Sequence, residues 1–126
     1  MATKIFRCNH CGNIITHLTN SGVSVVCCGE KMVELVPNTT DAATEKHVPD
    51  VKVEGNKVMV TVGSVEHPMV TEHFIEWILV ESKEGIQVKW PKAGQKPTHS
   101  FVLAEGDELV VVYEYCNLHG LWKKEM

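Results

Sequence analysis

The 126-residue sequence predicts an all-β protein in which a small metal-stapled β module precedes an antiparallel β-sandwich. Three observations carry that prediction. Four of the five cysteines fall before residue 29, in two pairs each followed by a glycine. From residue 49 onward apolar and polar residues alternate with the two-residue period of strands. No stretch has the pattern of a convincing amphipathic helix.

Taken in order, residues 1–36 read as short β segments, Lys4 to Arg7, Val23 to Val26 and Lys31 to Val36, with Gly12, Gly22 and Gly29 at the turns. So short a piece cannot hold a core of its own and needs a staple, which a metal bound by its cysteines would supply. The polar stretch from Pro37 to Pro49 shows neither period, so residues 37–48 read as a linker, one that carries His47. Residues 49–126 then supply about seven strands. Val51 and Val53 lead through a Gly55-Asn56 turn to Val58, Val60 and Val62; Ile75, Trp77 and Leu79 follow. Further strands fall at Ile86 to Trp90, Ser100 to Leu103, Leu109 to Tyr115 and a short one near Trp122. This spacing predicts a sandwich of immunoglobulin-like topology, with a strand order that periodicity does not reveal.

The length allows one ordinary domain with a small satellite and excludes a large multidomain enzyme. With 44% hydrophobic and 22% charged residues the composition is that of a globular chain and excludes intrinsic disorder. Twelve Lys and Arg against sixteen Asp and Glu give a net charge of −4, and no basic run offers a footprint for nucleic acid. Met1 to Arg7 precede no apolar signal region, and no segment approaches the roughly 18 apolar residues of a membrane span. A cytoplasmic protein without a membrane partner is expected.

Five cysteines suit metal ligation or thiol chemistry better than a disulfide framework, which wants an even set and an oxidising compartment. Cys8-Asn-His-Cys11-Gly is a knuckle that turns two thiolates toward one ion. Cys27-Cys28-Gly29 is less usual. Neighbouring side chains of an extended chain point apart, so both sulfurs reach one ion only if the backbone bends there. A distorted tetrahedral four-thiolate site follows, for which zinc and iron are both suitable. His10 sits inside the knuckle but four thiolates already complete the shell. His17 has no companion in sequence.

Four further motifs place a histidine at a strand end or turn: Glu45-Lys46-His47-Val48-Pro49, Glu66-His67-Pro68-Met69, Glu72-His73-Phe74-Ile75-Glu76-Trp77 and Tyr115-Cys116-Asn117-Leu118-His119-Gly120. Taken singly, each histidine reads as a surface or hydrogen-bonded residue. Together they read as ligands, because a sandwich gathers its loops at two ends and four such loops can converge on one ion. Four imidazoles and one thiolate make five ligands, which suits a square-pyramidal first-row redox metal, iron, better than tetrahedral zinc. His99, in Pro97-Thr98-His99-Ser100, reads as an ordinary loop residue.

Taken together these motifs resemble the desulfoferrodoxin family, the two-iron superoxide reductases of anaerobic and microaerophilic prokaryotes, over the whole chain. Cys8, Cys11, Cys27 and Cys28 resemble the desulforedoxin module, which binds a rubredoxin-like iron through four thiolates. The resemblance implies a second iron held by His47, His67, His73 and His119 in the equatorial plane and Cys116 on the axis. It implies one-electron reduction of superoxide to hydrogen peroxide, a rubredoxin-like electron donor and a homodimer. It also implies that Glu45 closes the resting oxidised site. Lys46, beside His47, is placed to attract the anion and orient water, which a chain of charge −4 needs if superoxide is to arrive quickly. Two rival readings give different metal contents: an electron carrier with only the four-cysteine site, holding one metal, and a colourless zinc-stapled binding domain.

Overall fold

The computed structural model describes residues 3–126 and divides into two compact units, Met1–Val36 and Pro37–Met126. Among the described residues no helix is long and apolar enough to cross a membrane. The first unit is made of two-residue strands: β1 (Phe6–Arg7), β2 (Ile14–Ile15), β3 (Val26–Cys27), β4 (Glu30–Lys31) and β5 (Val33–Glu34). β1 is the centre of an antiparallel sheet ordered β2-β1-β5, and β3 pairs with β4 in a separate hairpin. Among the described residues, Ile5, Cys8 and Met32 are its buried apolar side chains, too few for a self-supporting core.

The expected segments shift accordingly. Lys4 to Arg7 shortens to β1, Val23 to Val26 moves to β3, and Lys31 to Val36 is divided between β4 and β5, while β2 lies outside every expected segment. The cause is local: Cys28 at φ 54° and Gly29 at φ 78° turn the chain back within two residues, so the sulfurs, rather than a hydrophobic period, decide where strands begin.

The second unit opens with an ordered segment, not a free linker. Asn38 donates its backbone N–H to Leu121 O and pairs with Lys123 through both side-chain atoms. One helical turn, α1 (Thr44–His47), follows, closed by the Val48 N–H bonding Thr44 O at 3.0 Å. Seven strands come next: β6 (Pro49–Glu54), β7 (Lys57–Val62), β8 (Ile75–Ser82), β9 (Gly85–Lys89), β10 (Thr98–Val102), β11 (Leu109–Cys116) and β12 (Gly120–Glu125). His99, expected in a loop, lies on β10 opposite Val60.

All pairings are antiparallel, in sheets ordered β10-β7-β6 and β12-β11-β8-β9. The connections β7–β8, β9–β10 and β10–β11 cross from one sheet to the other, while β6–β7, β8–β9 and β11–β12 are hairpins within a sheet, the immunoglobulin-like arrangement. The inner faces meet in one core: Val58, Val60, Val62 and Phe101 from the first sheet, Ile78, Val80, Val112 and Cys116 from the second. Side chains also tie the edge strands β9 and β10 across the gap, Gln87 Nε2 to Val102 O at 3.0 Å and Lys89 Nζ to Ser100 O at 2.5 Å. These bonds occupy carbonyls of an edge strand, groups that are otherwise open to pairing.

Alternation along β11 puts Val112, Glu114 and Cys116 on the inner face. At its end the register slips: Tyr115 faces Trp77 but Cys116 faces Ile75, a bulge that bends β8 where it meets the loops. Cys116 is thereby the last core residue before the open end of the sandwich.

Candidate metal centres

In the first unit the four sulfurs of Cys8, Cys11, Cys27 and Cys28 lie within 4.8 Å of one another, with Cys11 and Cys27 Sγ 3.6 Å apart. Four thiolates at about 2.3 Å from one ion in tetrahedral array would stand about 3.8 Å apart, so the spacing fits a single metal. All four are free thiols, and the left-handed Cys28 supplies the backbone bend that the adjacent pair requires. The Cys11 N–H aimed at Cys8 Sγ draws that thiol down to about 6, whereas the sulfurs of Cys11, Cys8 and Cys27 push Cys28 up to about 12. Without a cation the cluster therefore cannot hold four negative charges. Asn13 Nδ2 donates to Cys27 Sγ at 3.7 Å. His10 points away, to Glu30 at 3.1 Å, and His17 packs edge-on against Phe6.

The second cluster gathers from four places: His47 at the end of α1, His67 in the turn after β7, His73 just before β8, and Cys116 with His119 around the β11–β12 turn. Each is positioned by its own backbone bonds. Asn117 donates its N–H to Phe74 O and its Nδ2 to Glu72 O, and its Oδ1 accepts the Phe74 N–H, so the His73 segment is stapled to the cysteine turn. The His67 N–H bonds Val62 O at 2.9 Å. The α1 turn is held through Glu45 O, which accepts from Val65 N–H at 2.8 Å and Ser64 Oγ at 3.2 Å. Gly63 lies so close beneath it that a Cβ there would stand 2.6 Å from Glu45 O and 2.8 Å from Lys46 C.

The four imidazoles form a ring in the order His47, His67, His73, His119. Neighbours stand edge to face, with centroids 4.6–5.0 Å apart and planes 78–86° apart, while His47 and His73 face each other across the ring at 6.3 Å and 29°. His47 Nδ1 lies 2.7 Å from Ala43 O and His67 Nδ1 2.6 Å from Pro68 O. A carbonyl only accepts, so both protons reside on Nδ1 and both Nε2 atoms carry bare lone pairs. Those two Nε2 atoms are nonetheless 3.2 Å apart, and His73 Nε2 is buried with no hydrogen-bond partner among the described residues. His119 completes the convergence with Nδ1, 3.1 Å from His47 Nε2 and 4.0 Å from Cys116 Sγ. Lone pairs crowded together without a proton to share are what a bound cation resolves, so the donor set fits a metal.

Burial disfavours the charged forms of His47, His67 and His73. Desolvation lowers His47 and His73 and takes His67 down to about 4. The positive charge of Lys46 further lowers both His47 and His73, although Lys46 and Glu45 are themselves exposed. Cys116 is fully buried beneath; burial pushes its thiol up, and the N–H groups of His119 and Leu118, directed at the sulfur, pull the other way.

Three residues at this site escaped the sequence reading. Trp122 stacks on His47 at 5.0 Å and donates Nε1–H to His119 O at 3.1 Å, touching two of the rings; its place two residues after Gly120 was the available signal. Gly63 has no signal short of the fold. Glu114, two residues from Cys116 on the same face, is completely buried without a hydrogen-bond partner among the described residues, and desolvation raises its carboxyl well above the usual range. Period-two alternation could have found it.

A ring of four imidazoles above a buried thiol, at the loop end of an immunoglobulin-like sandwich with a separate four-thiol unit in the same chain, defines a two-site metalloprotein. The desulfoferrodoxin family profile matches residues 39–125, and that of the desulfoferrodoxin N-terminal domain matches residues 2–35. This chain belongs to the desulfoferrodoxin family. It is 45% identical over 122 residues to the desulfoferrodoxin of Nitratidesulfovibrio vulgaris, covering 97% of this chain and 95% of the relative. The desulfoferrodoxin of Clostridium acetobutylicum is 42% identical over 123 residues, covering 98% and 96%. Among solved structures, the superoxide reductase of Treponema pallidum superposes with a TM-score of 0.84 at 37% identity, covering 99% of this chain and all of the other.

Proposed function

We propose that this chain is a superoxide reductase that turns superoxide, one electron and two protons into hydrogen peroxide. In this reading residues 1–36 are a desulforedoxin-like module whose Cys8, Cys11, Cys27 and Cys28 hold one iron. Residues 37–48 carry the first imidazole, and residues 49–126 form the catalytic domain, with His47, His67, His73, His119 and Cys116 as ligands of the second iron. That iron, when bound, supplies the one-electron reduction. The observation that carries the reading is the ring of converging imidazole lone pairs over Cys116, a five-donor set that suits a redox metal with a free position.

The chain's own residues handle charge and protons. Lys46 Nζ offers a positive field at the solvent side of the ring, which draws an anionic substrate against the overall charge of −4 and orients the water that delivers protons. Glu45 stands next to it on α1, where its carboxylate can cover the open side after product leaves. The Ala43 and Pro68 carbonyls hold the Nδ1 protons of His47 and His67 and keep both tautomers fixed. The reading further takes the protein as a cytoplasmic homodimer re-reduced by a rubredoxin-like carrier.

Metal analysis with optical spectra before and after mild oxidation tests it. Two irons per chain with two distinct chromophores, the second lost in Cys116→Ser, is the expected result. A single iron, or colourless zinc protein, would overturn it.

A further inference from the structure

The segment from Trp90 to Pro97 has no part in the site described above, yet it has the features of a docking surface. Trp90 is 68% exposed, an unusual setting for so large an apolar side chain, and Lys92 and Lys96 in the same loop are exposed as well. Neither lysine makes an ion pair among the described residues. From Gly85 to Ala104 the sequence contains no acidic residue, whereas residues 37–126 together carry nine lysines against fourteen carboxylates. This is the one long acid-free stretch on an acidic unit.

The loop is pre-shaped. Pro91 and Pro97 are buried at its two ends, and the Gln95 N–H bonds Lys92 O at 3.0 Å. It is also joined to the catalytic end of the sandwich: the Gly94 N–H bonds Met69 O at 2.7 Å, two residues from His67, and Pro97 O accepts the Val62 N–H, while Val62 O accepts the N–H of His67. An ordered loop that carries an exposed aromatic and two exposed lysines loses little entropy on binding.

We propose that the Trp90–Lys96 loop is the docking surface for the external electron donor, and that this donor is an acidic one-electron carrier protein. The inference rests on the reductase reading, in which each superoxide consumes two protons and one electron; the carrier loses that electron and no atom is transferred. Charge complementarity selects the carrier's sign. Repulsion from the carboxylates elsewhere on the unit leaves the acid-free loop as the place where an acidic protein settles, and the loop's bonds to the His67 segment bring it to the catalytic end.

The test compares wild type, Trp90→Ala and the double variant Lys92→Glu/Lys96→Glu as iron-loaded full-length proteins in two half-reactions. Oxidation of an acidic reduced rubredoxin reads docking, and superoxide consumption by pre-reduced protein reads the parent reaction. Both variants should lower the second-order rate with rubredoxin by roughly tenfold or more, and the double variant should flatten its dependence on ionic strength. Superoxide consumption by Trp90→Ala should stay within about twofold of wild type. A rubredoxin rate unchanged in both variants overturns the proposal. So does an unchanged rate with loss of the dimer on a sizing column, which would make the loop a contact between copies, or with loss of binding to phosphatidylserine vesicles, which would make it a lipid contact. Wild-type protein that fails to consume superoxide would instead refute the parent reading and leave the docking result to stand by itself.

Discussion

Replacing Gly63 by alanine should damage catalysis at a residue that touches no donor atom of the ring. The added Cβ would stand 2.6 Å from Glu45 O, 2.8 Å from Lys46 C and 3.0 Å from Val48 O, whereas ordinary contact begins at 3.4 Å. The clash must open by up to about 0.8 Å, the difference between the ordinary contact and the shortest of these. All three opposing atoms are backbone, so no side-chain rotation relieves it, and α1 must move as a piece with Glu45, Lys46 and His47 on it. Overpacking of this kind costs ~1–3 kcal/mol. A shift approaching 1 Å in a residue that positions substrate can cost roughly 10²-fold in rate. Stopped-flow or pulse-radiolysis rates of superoxide reduction, read with iron content and thermal unfolding, give the assay. Ser64→Ala is the control, because Val65 N–H still holds Glu45 O after the hydroxyl is gone. A Gly63→Ala protein with full iron, wild-type rate and unchanged stability would refute the idea that this glycine sets the height of the α1 turn.

Lys46→Ile should slow bimolecular superoxide reduction by roughly tenfold and weaken its salt dependence, since a local positive field is what counters the overall charge; an equal rate and salt slope would remove Lys46 from the account. Trp122→Phe keeps a ring against His47 but loses the N–H to His119 O, so chelator competition should report roughly tenfold weaker metal retention at the second site, and equal retention would make Trp122 packing alone. In metal-free protein, His67 takes up its proton near pH 4 when folded and near 6.5 when unfolded. Between those values the unfolded chain binds more protons, so stability falls as pH drops from 6.5 to 4, by up to about 3 kcal/mol from this residue. Urea midpoints that hold level or rise across that acid range would contradict the burial argument.

How far the sequence reveals this protein depends on which force shapes each part. The Gly55-Asn56 hairpin was legible because Val51, Val53, Val58, Val60 and Val62 alternate on both sides of it, and burial on one face is what sets strand register. The strands of the first unit were not, since two-residue ladders organised by four sulfurs carry no period to read. The helical turn at Thr44–His47 is too short for a 3.6-residue pattern and depends on bonds from Ser64 and Val65, twenty residues on, which no local signal reports. The five histidine and cysteine positions of the second cluster were readable as motifs at strand ends. Their alternating edge-to-face order, the carbonyls that fix their tautomers and the Gly63 floor are products of tertiary packing alone.

Stoichiometry separates a chain that reduces superoxide from one that disproportionates it. Hydrogen peroxide and dioxygen should be measured together while iron-loaded protein consumes a known flux of superoxide in the presence of a reduced donor. One peroxide should form and one donor electron should be used for each superoxide, with no dioxygen released. One peroxide and one dioxygen for every two superoxides, with the donor untouched, would contradict it.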